Sequence, residues 1–161
     1  MRDSDIEFLF VGDAAYGDES KLRQTILDEI CERGLIQRCH FISKTSTISS
    51  IYNACDLTIL TSFHEGTPNV VLESMACATP VIVTDISDNS NFIENGKSGY
   101  LVSSGDDEKM SKFIIKLYNN RIQLKELGSA ARRTVSKRFS IAVMAKRVET
   151  VYMQLLASTG K

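Results

Sequence analysis

Residues 56–84 read DLTILTSFHEGTPNVVLESMACATPVIVT. The opening five residues, DLTIL, read as a short strand, and a polar loop with Gly66 and Pro68 follows. Residues 69–77 then carry a helical stripe, and 80–84 form a second apolar run headed by Pro80. Pro is tolerated in the first turn of a helix and at the start of a strand, so both prolines agree with a strand–loop–helix–strand unit. Short, continuous apolar strands separated by a helix are the pattern of a parallel sheet covered on both faces.

The same alternation extends in both directions. Residues 6–11 (IEFLFV) read as a buried strand and 18–33 as a helix striped by Leu22, Ile26, Leu27 and Ile30, with Gly34 at the position after the cap. A strand over 39–42 and a short helix over 47–55, with Ile48, Ile51 and Tyr52 in register, lead into the central unit. Beyond it come a short helix over 88–94, a strand over 99–102 and helices over 106–119 and 121–137. Ser140 is placed to cap a last helix whose stripe is Ile141, Val143, Met144, Val148, Val151, Tyr152 and Leu155. The pattern predicts an α/β fold: a doubly wound, Rossmann-like parallel sheet of about five strands with a helical C-terminal tail, over a single domain spanning 1–161. In such sheets ligands bind beyond the carboxyl ends of the strands.

Composition narrows the function classes. The 161 residues are 43% hydrophobic and 24% charged, with 19 Lys and Arg against 20 Asp and Glu. That balance supplies no basic excess for nucleic acid. No apolar run reaches the length of a membrane span, and the first residues lack the pattern of a signal peptide. Cys31, Cys39, Cys55 and Cys77 form no CxxC pair, and His40 and His64 are too few to complete a metal set. The cysteines read as small buried hydrophobes of a reducing cytosol.

The chemistry concentrates in residues 62–81. Gly66 permits a sharp turn or close backbone approach. Amides around Thr67, Asn69 and Val70 lie where unpaired N–H groups and the helix dipole favour an anion, such as a phosphate. Glu65 and Glu73 bracket that turn, and Asn69, Glu73 and Cys77 share one helix face. An ionised carboxylate can accept from two vicinal hydroxyls. Together these suggest a phosphate flanked by hydroxyl-bearing groups, the outline of a nucleotide sugar. The alternative is that both glutamates are solvated surface charges. His64 reads as a solvated loop residue beside Glu65. Lys125, Arg132, Arg133, Lys137 and Arg138 read as a solvated helix face, with contact to a membrane surface or glycolipid as the second reading.

The stretch EGTPNVVLE resembles the E-x7-E motif of the group 1 family of retaining glycosyltransferases, which have the two-lobed GT-B fold. The flanking 56–62, 73–81 and 95–102 segments resemble the family's neighbouring strands and turns, and 139–156 its terminal helix. The resemblance implies the donor-binding, C-terminal lobe. It implies that Glu65 meets donor-sugar hydroxyls near the reacting centre as the catalytic residue. Gly66, Thr67, Pro68, Asn69 and Val70 would line the donor sugar and phosphate, and Glu73 would hold the ribose diol. Ser43 and Lys44 fall where the family contacts the nucleobase. The activity implied is transfer of a sugar from a UDP- or GDP-linked donor to a hydroxyl acceptor on a glycan, glycolipid or small molecule. The anomeric configuration is retained and no metal or other cofactor takes part. Polysaccharide assembly would suit the family, with the protein cytoplasmic or peripheral at the inner face of the membrane.

The sequence departs from the family in four respects. The lobe's first strand unit, with an Arg and a Lys for the diphosphate, has no counterpart before Ile6. No N-terminal acceptor lobe is present, so that lobe or a partner chain is expected to complete the enzyme. Ala78 stands where the family has Gly after the motif helix, and a left-handed backbone there would cost an Ala on the order of 1 kcal/mol. Asn91 replaces an acid and is given no role. Three other classes compete: a non-catalytic nucleotide-sugar-binding half, a two-lobed nucleotide-sugar epimerase, and a phospho-acceptor receiver domain. The E-x7-E core argues against the epimerase. The receiver domain wants an acidic pair after its first strand and an Asp ending its third, whereas Asp13 is alone and Asp56 begins its strand.

Overall fold

The computed structural model describes residues 5–12, 19–43, 45–64, 66, 68–86 and 89–159. Its elements run β1 (Phe8–Val11), α1 (Glu19–Glu32), a 3-10 turn (Ile36–Arg38), β2 (Cys39–Ile42), α2 (Ile48–Ala54), β3 (Thr58–Leu60), α3 (Asn69–Ala76), β4 (Val81–Thr84), α4 (Asn89–Phe92), β5 (Tyr100–Val102), α5 (Asp107–Asn119), α6 (Arg121–Arg138) and α7 (Ile141–Thr159). The mixed α/β class, the parallel strands and the helical tail agree with the sequence pattern. The five strands are described as two ladders, one in each part of the chain. β1 pairs with β2, and β3, β4 and β5 pair in that order, every pair parallel. The chain accordingly divides into two compact units, 1–48 and 49–161.

In the first unit Phe8 stands opposite Cys39 and Phe10 opposite Phe41, whose rings stack 4.8 Å apart. α1 ends as its Gly34 implies. Gly34 has φ +67°, its amide reaches the Cys31 carbonyl at 2.9 Å, and the Leu35 amide reaches Ile30 at 2.9 Å. This is the Schellman closure that a left-handed residue makes possible. β1 departs from expectation. Leu9, Phe10 and Val11 are exposed rather than buried. The cysteines also differ from the buried hydrophobes expected. Cys31 is exposed, and Cys39, Cys55 and Cys77 are only partly covered.

The second unit holds the core. Val81, Ile82 and Val83 of β4 are wholly buried. Strand alternation sends Val81 and Val83 to one face, where Val71, Met75, Phe92, Ile93, Ala131 and Val135 gather. Ile82 faces the other cluster, with Tyr100, Val102, Leu117, Leu124 and Leu127. α6 feeds both clusters, Leu124 and Leu127 to one, Ala131 and Val135 to the other. Between them lies Gly128, where an added Cβ would stand 2.1 Å from the Ala78 carbonyl oxygen. Ala78 itself has φ +62°. Its amide bonds to Met75 at 3.1 Å and the Thr79 amide to Ser74 at 3.1 Å, a Schellman closure built on alanine. The same turn delivers the chain through Pro80 into β4.

The two positions make opposite predictions. Gly128→Ala should destabilise the chain by about 1–3 kcal/mol, because backbone rather than a mobile side chain opposes the new methyl. Ala78→Gly should stabilise it by up to about 1 kcal/mol by relieving the left-handed alanine. Urea unfolding followed by circular dichroism measures both. An unchanged midpoint for Gly128→Ala would mean that α6 can slide away from the turn.

Candidate donor-binding site

α3 begins at Pro68, which has φ −76° and ψ +82° and makes no side-chain cap bond. Its carbonyl receives the Val71 amide at 3.0 Å. A helix's first amides have no acceptor within the helix, and proline has no N–H at all. Asn69 and Val70, both exposed, therefore present their amides at the positive end of the helix dipole. Val71, Ser74 and Met75 turn the opposite face into the core. The helix is held from below by a polar knot. The Ser74 hydroxyl bridges Thr58 Oγ1 at 2.8 Å and the Thr79 carbonyl at 3.1 Å, and the Thr79 hydroxyl donates to the Tyr52 carbonyl at 2.7 Å.

Glu73 is exposed on the face it shares with Asn69 and Cys77. Its carboxylate is not a free surface charge, because the buried Tyr52 of α2 donates its phenol to Glu73 Oε2 at 3.2 Å. Burial, with the Glu73 charge and this hydrogen bond behind it, raises the Tyr52 phenol well above its usual value of 10.0. The Tyr52 proton stays in place, and the phenol acts as a fixed neutral donor. Tyr52 did not stand out in the sequence as a polar group. It reads there as one of three stripe residues of a short helix, and only the tertiary placement brings its oxygen to Glu73.

Glu65 and Thr67 lie outside the described residues, as does Lys44. Gly66 is exposed, with open space where a Cβ would stand. Pro68 is buried, and His64 and Ser43 are exposed. At the carboxyl ends of β3, β4 and β5 a cleft of about 320 Å³ opens among Thr61, Thr84, Ser103, Phe63, Asp106 and Met110. On the outer side of α6, Arg132, Arg133 and Lys137 border a shallow groove with Ala78, Ser129 and Ser136. Arg138 turns back to the Asn91 carbonyl at 3.1 Å. Among the described residues no His, Cys, Asp and Glu cluster could hold a metal ion, and no helix is long and apolar enough to cross a membrane.

An α/β unit with a carboxylate one turn beyond a bare helix N-terminus at E-x7-E spacing defines the class. The family described as "Glycosyl transferases group 1" matches residues 1–134, and the chain belongs to it. Among curated relatives, the N-acetyl-alpha-D-glucosaminyl L-malate synthase of Bacillus anthracis is 30% identical over 152 residues, covering 94% of this chain and 38% of that protein. Among solved structures, Anabaena Alr3699/HepE in complex with UDP superposes with a TM-score of 0.87 at 23% identity, over 92% of this chain and 41% of that one. The C-terminal domain of a group 1 family glycosyl transferase (LpcC) from Francisella tularensis superposes with a TM-score of 0.75 at 18% identity, over 87% of this chain and 91% of that one. The fold is thus that of the second lobe of GT-B glycosyltransferases. The chain spans 24% to 42% of the length of the curated relatives it matches.

The buried phenol carries a stability signature. A folded-state pKa raised above the unfolded value leaves stability level below pH 10, then removes it as pH climbs toward the folded-state pKa, because only the unfolded chain releases the proton. Tyr52→Phe should abolish that component. Urea midpoints at pH 8 and pH 11 should therefore fall less for the variant than for the parent. Equal falls would show that Tyr52 ionises freely.

Proposed function

We propose that this chain is the donor-binding lobe of a retaining glycosyltransferase that moves a sugar from a UDP- or GDP-linked donor to a hydroxyl acceptor. The observation that carries the reading is the geometry of α3. The first-turn amides of Asn69 and Val70 stand about one helical turn before Glu73, a rise of about 6 Å along the axis from Asn69. That spacing suits a 5′-phosphate and the ribose diol of one nucleotide. The phosphate sits against amides and dipole, and the diol donates to Glu73. The family match and the UDP held by the similar Anabaena structure support the same ligand class.

In this reading Glu65 accepts hydrogen bonds from donor-sugar hydroxyls close to the anomeric carbon, and Gly66, Thr67 and Pro68 line the sugar. The bond between the anomeric carbon and the diphosphate oxygen breaks, and the nucleoside diphosphate leaves. The acceptor oxygen bonds to that carbon on the face just vacated, and its proton passes to the departing phosphate. Rate enhancement then comes from positioning and from electrostatic stabilisation of the leaving group, without a metal. Ser43 and Lys44 contact the base. Residues 1–161 act as one donor-binding domain, completed by an acceptor lobe or partner chain that brings a glycan, glycolipid or small molecule. The enzyme works in the cytoplasm, peripherally at the membrane where polysaccharide is assembled, and the lobe alone transfers no sugar. A non-catalytic nucleotide-sugar-binding half is the second reading.

Titration calorimetry with UDP and GDP tests the site. One nucleotide should bind, and Glu73→Ala should weaken it by about 10- to 100-fold, as expected for loss of a charge-assisted contact. A folded chain that binds neither nucleotide would overturn the donor-site reading. Sugar transfer restored by adding an acceptor lobe would separate the enzyme from the non-catalytic half.

A further inference from the structure

We propose that Tyr52 is a positioning residue for the nucleotide ribose: its phenol fixes the Glu73 carboxylate in the orientation that receives the diol. The inference rests on the donor-site reading above and adds to it a residue outside the motif. A glutamate on a helix surface ordinarily samples several rotamers, and holding it still for a ligand costs side-chain entropy at the moment of binding. Here that cost is met in the folded chain. Tyr52 is 5% exposed and its ring is part of the core. The backbone carrying it is tied at the Tyr52 carbonyl to Thr79, in the same turn that closes α3. Ser74, the residue after Glu73, is pinned in turn to Thr58 and Thr79. Donor and acceptor therefore both sit on backbone that the same knot holds fixed.

The chemistry matches the task. A carboxylate offers about four acceptor sites over two oxygens. The phenol takes one on Oε2, and the remaining sites suffice for two vicinal hydroxyls. Because the phenol keeps its proton, it donates to Glu73 throughout the working pH range and never competes with the ribose as an acceptor. A lysine or arginine in its place would neutralise the carboxylate and weaken its pull on the diol. A neutral donor orients the charge without quenching it.

The test compares UDP and GDP with their 2′,3′-dideoxy counterparts, by calorimetry on the parent, Tyr52→Phe and Glu73→Ala chains. Phenylalanine keeps the ring in the core, and circular dichroism with a melting curve verifies that each variant is folded. Tyr52→Phe should weaken the ribonucleotide by about 3- to 10-fold and leave the dideoxy form within 2-fold, since only the diol reads the carboxylate's orientation. Equal loss for both forms would reduce Tyr52 to a structural role. No loss for either, while Glu73→Ala still weakens the ribonucleotide, would overturn the inference and leave the donor site standing. A Glu73→Ala chain that binds the ribonucleotide as tightly as the parent would overturn the ribose reading, and this inference with it.

Discussion

α6 is seated through Gly128 directly on the Ala78 carbonyl. No side chain fits between α6 and the turn that ends α3. That contact fixes how near α6 comes to α3, and α6 in turn supplies both hydrophobic clusters flanking β4. The turn is an expensive one, since Ala78 holds a left-handed backbone that glycine would adopt freely. Its two closing hydrogen bonds and the close packing above it oppose relaxation. The orientation of α3, and with it the direction of its first amides and of Glu73, follows from this seat.

On that frame the site divides into two kinds of polarity. At the N-terminus of α3 the charge is a property of the backbone and needs no particular side chain. Exposed Asn69 and Val70 contribute through their amides. One turn on, the charge belongs to a side chain and depends on what surrounds it. Tyr52, Thr79, Ser74 and Thr58 convert an exposed glutamate into a directed acceptor. The first feature is tolerant of sequence, the second demanding.

This difference explains what could be read in advance. The β4 strand was legible because VIVT is apolar on both faces and the strand is buried on both. The end of α1 was legible from Gly34, and the turn at Ala78 from the residue type that should have stood there. These are local signals, set by one residue's backbone preferences. The register of each strand pair was not written in the periodicity, because apolar strands look alike whichever neighbour they pair with. In the site, the E-x7-E spacing placed Glu73 on the face it occupies. Its partner Tyr52 lies 21 residues earlier on another helix. Nothing in a short amphipathic stripe distinguishes a tyrosine that only packs from one that also donates.

The last helix has a thermodynamic character of its own. α7 runs for 19 residues with Ile141, Met144, Val148, Val151, Tyr152, Leu155 and Leu156 all exposed. A helix of that length without burial is held chiefly by its own propensities, and in water these are marginal. Its coil–helix balance is thus uncoupled from the cooperative melting of the β3–β5 layer. A free energy of unfolding obtained for the core says nothing of α7, and helical content can drift with temperature before that transition begins. Truncating the helix would leave the core's stability largely intact while removing the exposed apolar side chains of α7.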